Sequence, residues 1–539
     1  MSSERHTTAS FSLLSTPNND SEVQSCSPSR SESQSLFNSY GAVKPNQVTL
    51  IAIGGAINTG LMIASGNALA RAGPASVLIS YTTVGILVYH VLCALAEVAS
   101  PEPSTVADHA ARLCDPSLGF TIEWIYWLKF LVVTPNQLTA AALVVSYWLD
   151  VDIVNPGIWI TVFMVVILGV NYWGSRFMGQ YEFILSSFKI TVVVGLMVFS
   201  LILALGGGPD HDRRGFRYWK RPGAFAGDHT AIGRLRAICW TMPSATFAYL
   251  GSELIGISIL RTKNTRKAAL HATKLTFYRI LVINIVTVTF IGMLVPFDAK
   301  ELEFARVKSS SRLYTRAAFI GDKQPGASSA AAFVVAVQIA HIAVVPHILN
   351  ACFLLFILSA ANHSLFMATR TLYGLSLSRN AFAFLSRLDR RGTPVYTLFV
   401  CSAIASLAYL NIQEDSKCLF NHFVNLVTMF SILTWISILV VHVKFAKSQN
   451  TKTETSPLVF RAPFGVVGSW AALAFCAFLT VMRVFDTVDS DGDPNKVDYK
   501  AIITSYMGIP LYLILFFGHK IFNRNRKARQ DAGSIEMAS

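Results

Sequence analysis

Long apolar segments separated by short polar stretches dominate the chain from residue 46 to residue 522. Most are long enough to cross the ~30 Å core of a bilayer as a helix that rises ~1.5 Å per residue. The pattern therefore predicts an all-α membrane protein with twelve transmembrane helices. The predicted spans, one to twelve, cover about residues 48–70, 76–99, 121–147, 157–176, 184–206, 238–260, 278–297, 344–369, 395–411, 421–443, 465–484 and 502–522.

The two ends of the chain are polar. Residues 1–45 are rich in Ser, Thr and Asn and lack the apolar core of a signal peptide, so a disordered N-terminal tail is predicted. Residues 523–539 are predicted as a short basic C-terminal tail, which leaves residues 46–522 as one twelve-span domain. An even number of spans places both tails on one side. The basic loops after spans six and eight favour the cytoplasm for that side.

Composition narrows the class of protein. The chain is 53% hydrophobic and only 14% charged, whereas soluble proteins carry about 25% charged residues. The net charge of +14 suits loops that face anionic lipid better than a nucleic-acid partner. The eight cysteines of the chain form no CxxC pair, and no nucleophile–base arrangement or metal cluster is recognisable in the sequence. The chain is therefore predicted to be a non-enzyme without a cofactor.

Spans one and six are each interrupted by glycine and hydroxyl residues, in "GGAINTG" (54–60) and "GSELIG" (251–256). Paired interruptions in two halves of a bundle indicate a substrate site near the midplane. The freed N–H groups suit an anion and the freed carbonyls a cation. A zwitterion such as an amino acid fits this arrangement. The alternative is that the glycines only allow close helix packing.

Five ionisable residues lie in or at the edge of the spans, where a charge is costly unless it faces a cavity or a partner. Glu97 and Glu182 lie near span ends, and this position favours a role in bracing a loop or in snorkelling. Lys129 either shares a polar helical face with Asn136 or snorkels. Glu253 stands out because it follows the interruption of span six. The five are Glu97, Lys129, Glu182, Lys189 and Glu253.

Several motifs together resemble the fungal amino acid permeases of the amino acid–polyamine–organocation superfamily. "GGAINTGL" is similar to their first-span GGTIGTGL, and "FAYLGSELIGI" to their sixth-span F-x-F-x-G-x-E-L-x-G-I. "GFRYWKRPGAF", "NTRKAALHA", the span-eight stretch from "PHILNACF" to "TRTLYGLS", "LTWISILVVHVKF" and "VFRAPFGVVGSW" follow the same family. The resemblance covers nearly all of residues 45–525.

The resemblance implies a LeuT-like bundle of five plus five inverted-repeat helices, with spans one and six broken and two further helices at the end. It implies proton-coupled uptake of amino acids by alternating access across the plasma membrane. The implied partners are an amino acid substrate, protons, membrane lipid, and trafficking machinery such as a ubiquitin ligase at the tails.

The resemblance also assigns site residues by position. The backbone of four residues would hold the substrate carboxylate with help from the Thr59 hydroxyl, and carbonyls near Ala56, Phe247 and Tyr249 would take the ammonium. Phe247 would close the site as an aromatic lid, and Leu250 and Gly251 would line the side-chain pocket. Glu253 would carry the proton, and Lys189 would steady the broken first helix. The four carboxylate-binding residues are Ile57, Asn58, Thr59 and Gly60.

Two departures from the family bear on function. Asn58 stands where the family has glycine, and Gln137 in "TPNQLTAA" stands where the family's LPAELVAA has a carboxylate. Asparagine tolerates positive φ, so the interruption survives. Shifted specificity is predicted, with a neutral pocket that favours neutral or aromatic side chains. The alternatives are an amino acid sensor that transports little, and a transporter of related amines such as polyamines or choline.

Overall fold

The chain is described here by a computed structural model. It covers residues 54–55, 57–99, 104–149, 154–173, 178–209, 211–226, 230–251, 266–299, 302, 331–412, 416–450, 461–483 and 499–538, and no strand occurs among them. A π-helical turn, Gly60–Ala64, precedes the first α-helix. The α-helices are α1 (Ser65–Ala72), α2 (Pro74–Ala99), α3 (Val106–Leu113), α4 (Pro116–Val145), α5 (Pro156–Trp173), α6 (Met178–Ala204), α7 (Arg217–Lys220), α8 (Ala231–Ala248), α9 (Arg266–Leu294), α10 (Ala332–Ile339), α11 (Val345–Leu377), α12 (Val395–Ala405), α13 (Ser416–Asn450), α14 (Gly465–Met482), α15 (Tyr499–Tyr506) and α16 (Gly508–Ala538).

Among the described residues, eight helical stretches are long and apolar enough to cross a membrane: α2, α4, α5, α6, α11, most of α13, α14, and residues 499–525 of α15 and α16. Two shorter apolar stretches, Ile280–Leu294 and Val395–Leu410, lie in α9 and α12. The helical membrane architecture is thus confirmed, and the count of twelve spans stays a prediction. The N-terminal tail lies outside the described residues.

Burial separates central helices from peripheral ones. In α4 the apolar window is 89% buried, against 33% in α5 and α6 and 17% in the last helices. The helix α4 packs against α11 and α13 and forms the centre of the bundle. The exposed apolar side chains of the peripheral helices suit contact with lipid, because lipid places no penalty on apolar surface.

Local signals account for several helix starts. Asp115 begins α4, because its carboxylate accepts a hydrogen bond from the backbone N–H of Ser117 at 2.8 Å. Thr105 and Asp108 form a reciprocal capping box that begins α3. Ala107 and Ala110 of α3 pack on the ends of α2 and α13 in a small apolar cluster with Val98, Ile122, Val441 and Phe445.

The interruptions predicted in spans one and six occur where the glycines lie. In the first span, a π turn that begins at Gly60 leads directly into α1. The helix α8 ends at Ala248, and Gly251 follows with a φ of +85°. Only glycine adopts that conformation at no steric cost, so Gly251 suits the turn that follows the end of α8.

Candidate substrate-binding site

The two interruptions meet backbone to backbone. A Cβ atom added to Gly60 would lie 2.6 Å from the Cα and the N of Ala248 and 2.7 Å from the carbonyl carbon of Phe247. A residue with a side chain at position 60 cannot be accommodated without moving α8. We refer to residues 57–61 together with 247–251 as the junction.

The side chain of Asn58 connects the two halves of the junction. Its Nδ2 donates to the carbonyl of Phe247 at 3.2 Å, with the carbonyls of Ala248 and Leu250 at 3.5 Å. Its Oδ1 accepts from the backbone N–H of Gly60 at 2.8 Å. One carboxamide therefore contacts both the N–H groups at the start of one helix and the carbonyls at the end of another. These are the two kinds of groups that a zwitterion needs.

Two tyrosines support the junction from one side. The Tyr81 hydroxyl, on α2, donates to the Gly60 carbonyl at 3.1 Å, and the Tyr249 hydroxyl donates to the Tyr81 carbonyl at 3.0 Å. Both rings are fully buried. Sequence analysis missed Tyr81, because a tyrosine in an apolar span gives no local signal of its partner. These bonds connect α2 to both halves of the junction.

The other predicted contact residues of the junction are buried. The Phe247 ring is 1% exposed and stands edge-on to Phe420 at a centroid distance of 6.1 Å. Ile57 and Leu250 are also buried. The Thr59 hydroxyl is buried and has no hydrogen-bond partner in the described part of the chain. It remains available to a ligand.

The helix α6 approaches the start of the first span. A Cβ atom on Gly54 would lie 2.3 Å from the Cβ of Ser186. Lys189 follows Ser186 by three residues on α6 and is 4% exposed. It therefore lies about one helical turn from this contact.

Gln137 lies apart from the junction contacts, on α4. It is 2% exposed, and its Oε1, like both polar atoms of Asn136 and the Thr139 hydroxyl, has no hydrogen-bond partner among the described residues. Unsatisfied buried polar groups of this kind are costly unless a ligand or water meets them. Two further predicted residues, Ala56 and Glu253, lie outside the described residues.

The groups gathered at the junction are neutral amides, hydroxyls and backbone dipoles. In the part of the chain that the structure describes, no group of three or more His, Cys, Asp and Glu side chains is arranged to hold a metal ion. The arrangement can bind an uncharged or zwitterionic head group through fixed dipoles, and it offers no described nucleophile for covalent chemistry.

Comparison with known proteins agrees with this geometry. Residues 47–532 match the family model described as amino acid permease. The chain is 40% identical over 490 residues to the dicarboxylic amino acid permease of Saccharomyces cerevisiae, covering 90% of this chain and 77% of that one. It is 31% identical over 488 residues to a general amino-acid permease of the same yeast, covering 90% and 77%.

A solved structure shares the fold at low identity. The manganese transporter of Eremococcus coleocola superposes with a TM-score of 0.51 at 14% identity, over 91% of this chain and 95% of that one. This likeness bears on the fold alone. The family match and the permease relatives, taken with the paired interruptions, show that this integral membrane protein belongs to the amino acid permease family of transporters.

Proposed function

We propose that this permease imports amino acids by proton-coupled symport across the plasma membrane, with both termini in the cytoplasm. The observation that carries the proposal is the double contact of Asn58 with the Gly60 N–H and the Phe247 carbonyl. The α-carboxylate and α-ammonium of a substrate would engage the same two groups. Membrane lipid and trafficking machinery at the tails are the further partners proposed.

We propose acidic amino acids as the first substrate class. The relative at 40% identity is a dicarboxylic amino acid permease, and the general permease is at 31%. None of the described junction residues carries a negative charge. Gln137 also replaces the carboxylate that the family resemblance expects, which removes one charge that would repel a second substrate carboxylate.

An acidic substrate strengthens the case for proton coupling. Glutamate or aspartate carries a net charge of −1, and moving one charge against a membrane potential of 100 mV costs about 2.3 kcal/mol. One symported proton cancels this cost, and a second turns the potential into a driving force. A neutral Gln137 cannot supply the titrating group, so Glu253 and Lys189 are the proposed coupling residues.

The apolar pocket residues Leu250 and Gly251 favour the second candidate, neutral or aromatic amino acids. A transport-poor sensor and an amine transporter remain the further alternatives, since Gln137 cannot titrate.

Uptake by proteoliposomes tests the proposal. Purified protein is reconstituted, and labelled aspartate, glutamate, leucine, phenylalanine and spermidine are each offered with and without an inward proton gradient. We expect accumulation of the two acidic amino acids only with the gradient. Accumulation that ignores the gradient would contradict symport, and binding without accumulation would favour the sensor. Uptake of spermidine alone would favour the amine transporter.

The role of Glu253 has its own test. Glu253→Gln is expected to abolish concentrative uptake while sparing exchange of labelled for unlabelled substrate, because the amide keeps the shape and loses the proton site. Normal concentrative uptake in this variant would refute the role.

A further inference from the structure

Four polar side chains from three helices form a continuous buried chain away from the junction. The His90 Nε2, on α2, lies 3.1 Å from the Ser469 hydroxyl on α14, which lies 2.9 Å from the Nδ1 of His442 on α13. The His442 Nε2 lies 3.0 Å from the Glu97 carboxylate, back on α2. Glu97 is 6% and His90 8% exposed, and the two inner members are fully buried.

The neighbouring backbone is shaped to hold this chain. A Cβ atom on Gly468 would lie 2.5 Å from the Cε1 of His90, so the glycine leaves room for the imidazole beside Ser469. At the other end the backbone N–H of Ala462 donates to the Glu97 carboxylate at 2.6 Å. Beyond the members of the chain, Arg461 is the charged group that acts on Glu97.

The chain has two hydrogen-bonded arrangements that differ by one proton. In the first, His90 Nε2–H donates to Ser469, the hydroxyl donates to His442 Nδ1, and His442 Nε2–H donates to Glu97. A proton added at His90 Nδ1 allows Nε2 to pass its proton to Ser469, which passes its own to His442. His442 then holds two protons as an imidazolium beside the Glu97 carboxylate, and the hydroxyl donates to His90.

The helix α2 connects this chain to the junction. Tyr81 of α2 contacts the Gly60 carbonyl, His90 follows nine residues later, and Glu97 lies another seven residues along. At ~1.5 Å per residue, these groups span about 24 Å on one helix. In both arrangements the same hydrogen bonds tie α2 to α13 and α14, and charging His442 turns its hydrogen bond with Glu97 into an ion pair between α13 and α2.

We propose that Glu97, His442, Ser469 and His90 form a proton-binding site that takes up one proton per transport cycle. The inference rests on the proposed symport and adds a site to it. The imidazole of His442 holds the proton, and Glu97 stabilises the resulting charge. A purely structural role for Glu97 is to brace the segment before α14. The experiment must separate this role from proton uptake.

The test compares His442→Gln with the unaltered protein in proteoliposomes. The glutamine amide can donate to Glu97 and accept from Ser469, and it cannot take a proton. Exchange of labelled for unlabelled L-aspartate at neutral pH is expected to stay within about twofold. Accumulation driven by an inward proton gradient should fall about tenfold or more, in the range of ordinary coupling energies, and its pH dependence should flatten.

A matched control is His422→Gln, on the same helix, where the imidazole contacts the Thr504 hydroxyl at 3.1 Å. This variant should keep both exchange and accumulation, and an equal loss here would overturn the assignment. The assignment would also be overturned if the His442→Gln variant showed the same accumulation and the same pH profile as the unaltered protein. An unaltered protein that exchanges no amino acid would instead refute the proposed function.

A second variant decides the case if His442→Gln does not fold. Gly468→Ala moves the His90 ring away from Ser469 without removing a titratable group. Reduced accumulation with retained exchange is expected. Full gradient-driven accumulation in this variant would overturn the proposal.

Discussion

The side chain of Asn58 donates to the backbone carbonyl of Phe247 at 3.2 Å, across 189 residues of sequence. The same side chain accepts from Gly60 at 2.8 Å. A carboxamide of the permease itself therefore satisfies groups of the candidate site. A substrate that uses these groups must first displace it.

Asn58→Gly is expected to raise apparent affinity and to lower the stability of the substrate-free protein. A net hydrogen bond contributes about 1 kcal/mol, so loss of this competition should lower KM about fivefold. The same loss, together with added backbone freedom, should lower the thermal midpoint. Uptake kinetics and thermal unfolding with and without substrate measure both. Asn67→Ala, which removes an amide in α1, is the control, and a KM that rises in Asn58→Gly contradicts the mechanism.

Gly60→Ala should abolish transport. The added methyl group would lie 2.6 Å from the Ala248 backbone, so the two interrupted helices could no longer meet. We expect uptake to fall at least about 100-fold, equivalent to about 2.7 kcal/mol. Gly55→Ala is the matched control, because a Cβ at that position has no neighbour within 4 Å. Equal uptake by the two variants would show that the close approach is dispensable.

Gln137→Glu should shift selectivity from acidic towards neutral amino acids. A carboxylate at this buried position would repel the second carboxylate of an acidic substrate, by an amount that rises as the local dielectric constant falls. We expect the ratio of aspartate to leucine uptake to fall about tenfold, and less at acidic pH where the new group is protonated. Competition assays at several pH values measure this ratio. An unchanged ratio would place Gln137 outside the substrate pocket.

The start of α4 gives a prediction about pH. The Ser117 N–H, and then the Lys520 ammonium at 3.0 Å, hold the pKa of Asp115 below its ordinary value. A lowered carboxyl pKa adds stability above the unfolded pKa of about 3.9, and this contribution is lost as pH falls through the folded pKa.

Two substitutions separate the contribution of the Asp115 charge from that of its helix cap. Asp115→Asn keeps the helix cap and should cost less than about 1 kcal/mol at neutral pH, because the ion pair is partly exposed. Asp115→Ala should cost about 1 kcal/mol more, because it also loses the cap. Thermal unfolding across pH should show the difference between the Asn variant and the unaltered protein shrink as pH falls below about 3.9 and vanish below the lowered folded pKa of Asp115. A difference that persists there would contradict the assignment to ionisation.

Much of the architecture follows from local pattern. The predicted spans at about residues 76–99 and 465–484 correspond to Pro74–Ala99 and Gly465–Met482. These agree because length and hydropathy set the extent of a membrane helix, and proline or glycine marks its limits. The interruption before Gly60 was likewise predictable, because glycines weaken a membrane helix and a neighbouring hydroxyl can satisfy the freed backbone groups.

The partners of polar residues were not predictable from pattern. The sequence favours loop bracing or snorkelling for Glu97, and the Glu97 carboxylate accepts from the Ala462 N–H. Its second partner, His442, lies 345 residues further along the chain. Lys129, for which snorkelling was one reading, is fully buried with its ammonium 4.3 Å from the Tyr126 ring centroid. Such contacts depend on how helices pack, which no local window of sequence records.

The contact between Gly60 and Ala248 also restricts motion. Two backbones in direct contact cannot move closer together, so a closing movement of the two helices elsewhere along their length must pivot about this point. Displacement grows with distance from a pivot and is smallest at the pivot itself. A substrate held at the junction would therefore stay nearly still while the ends of the helices open and close around it.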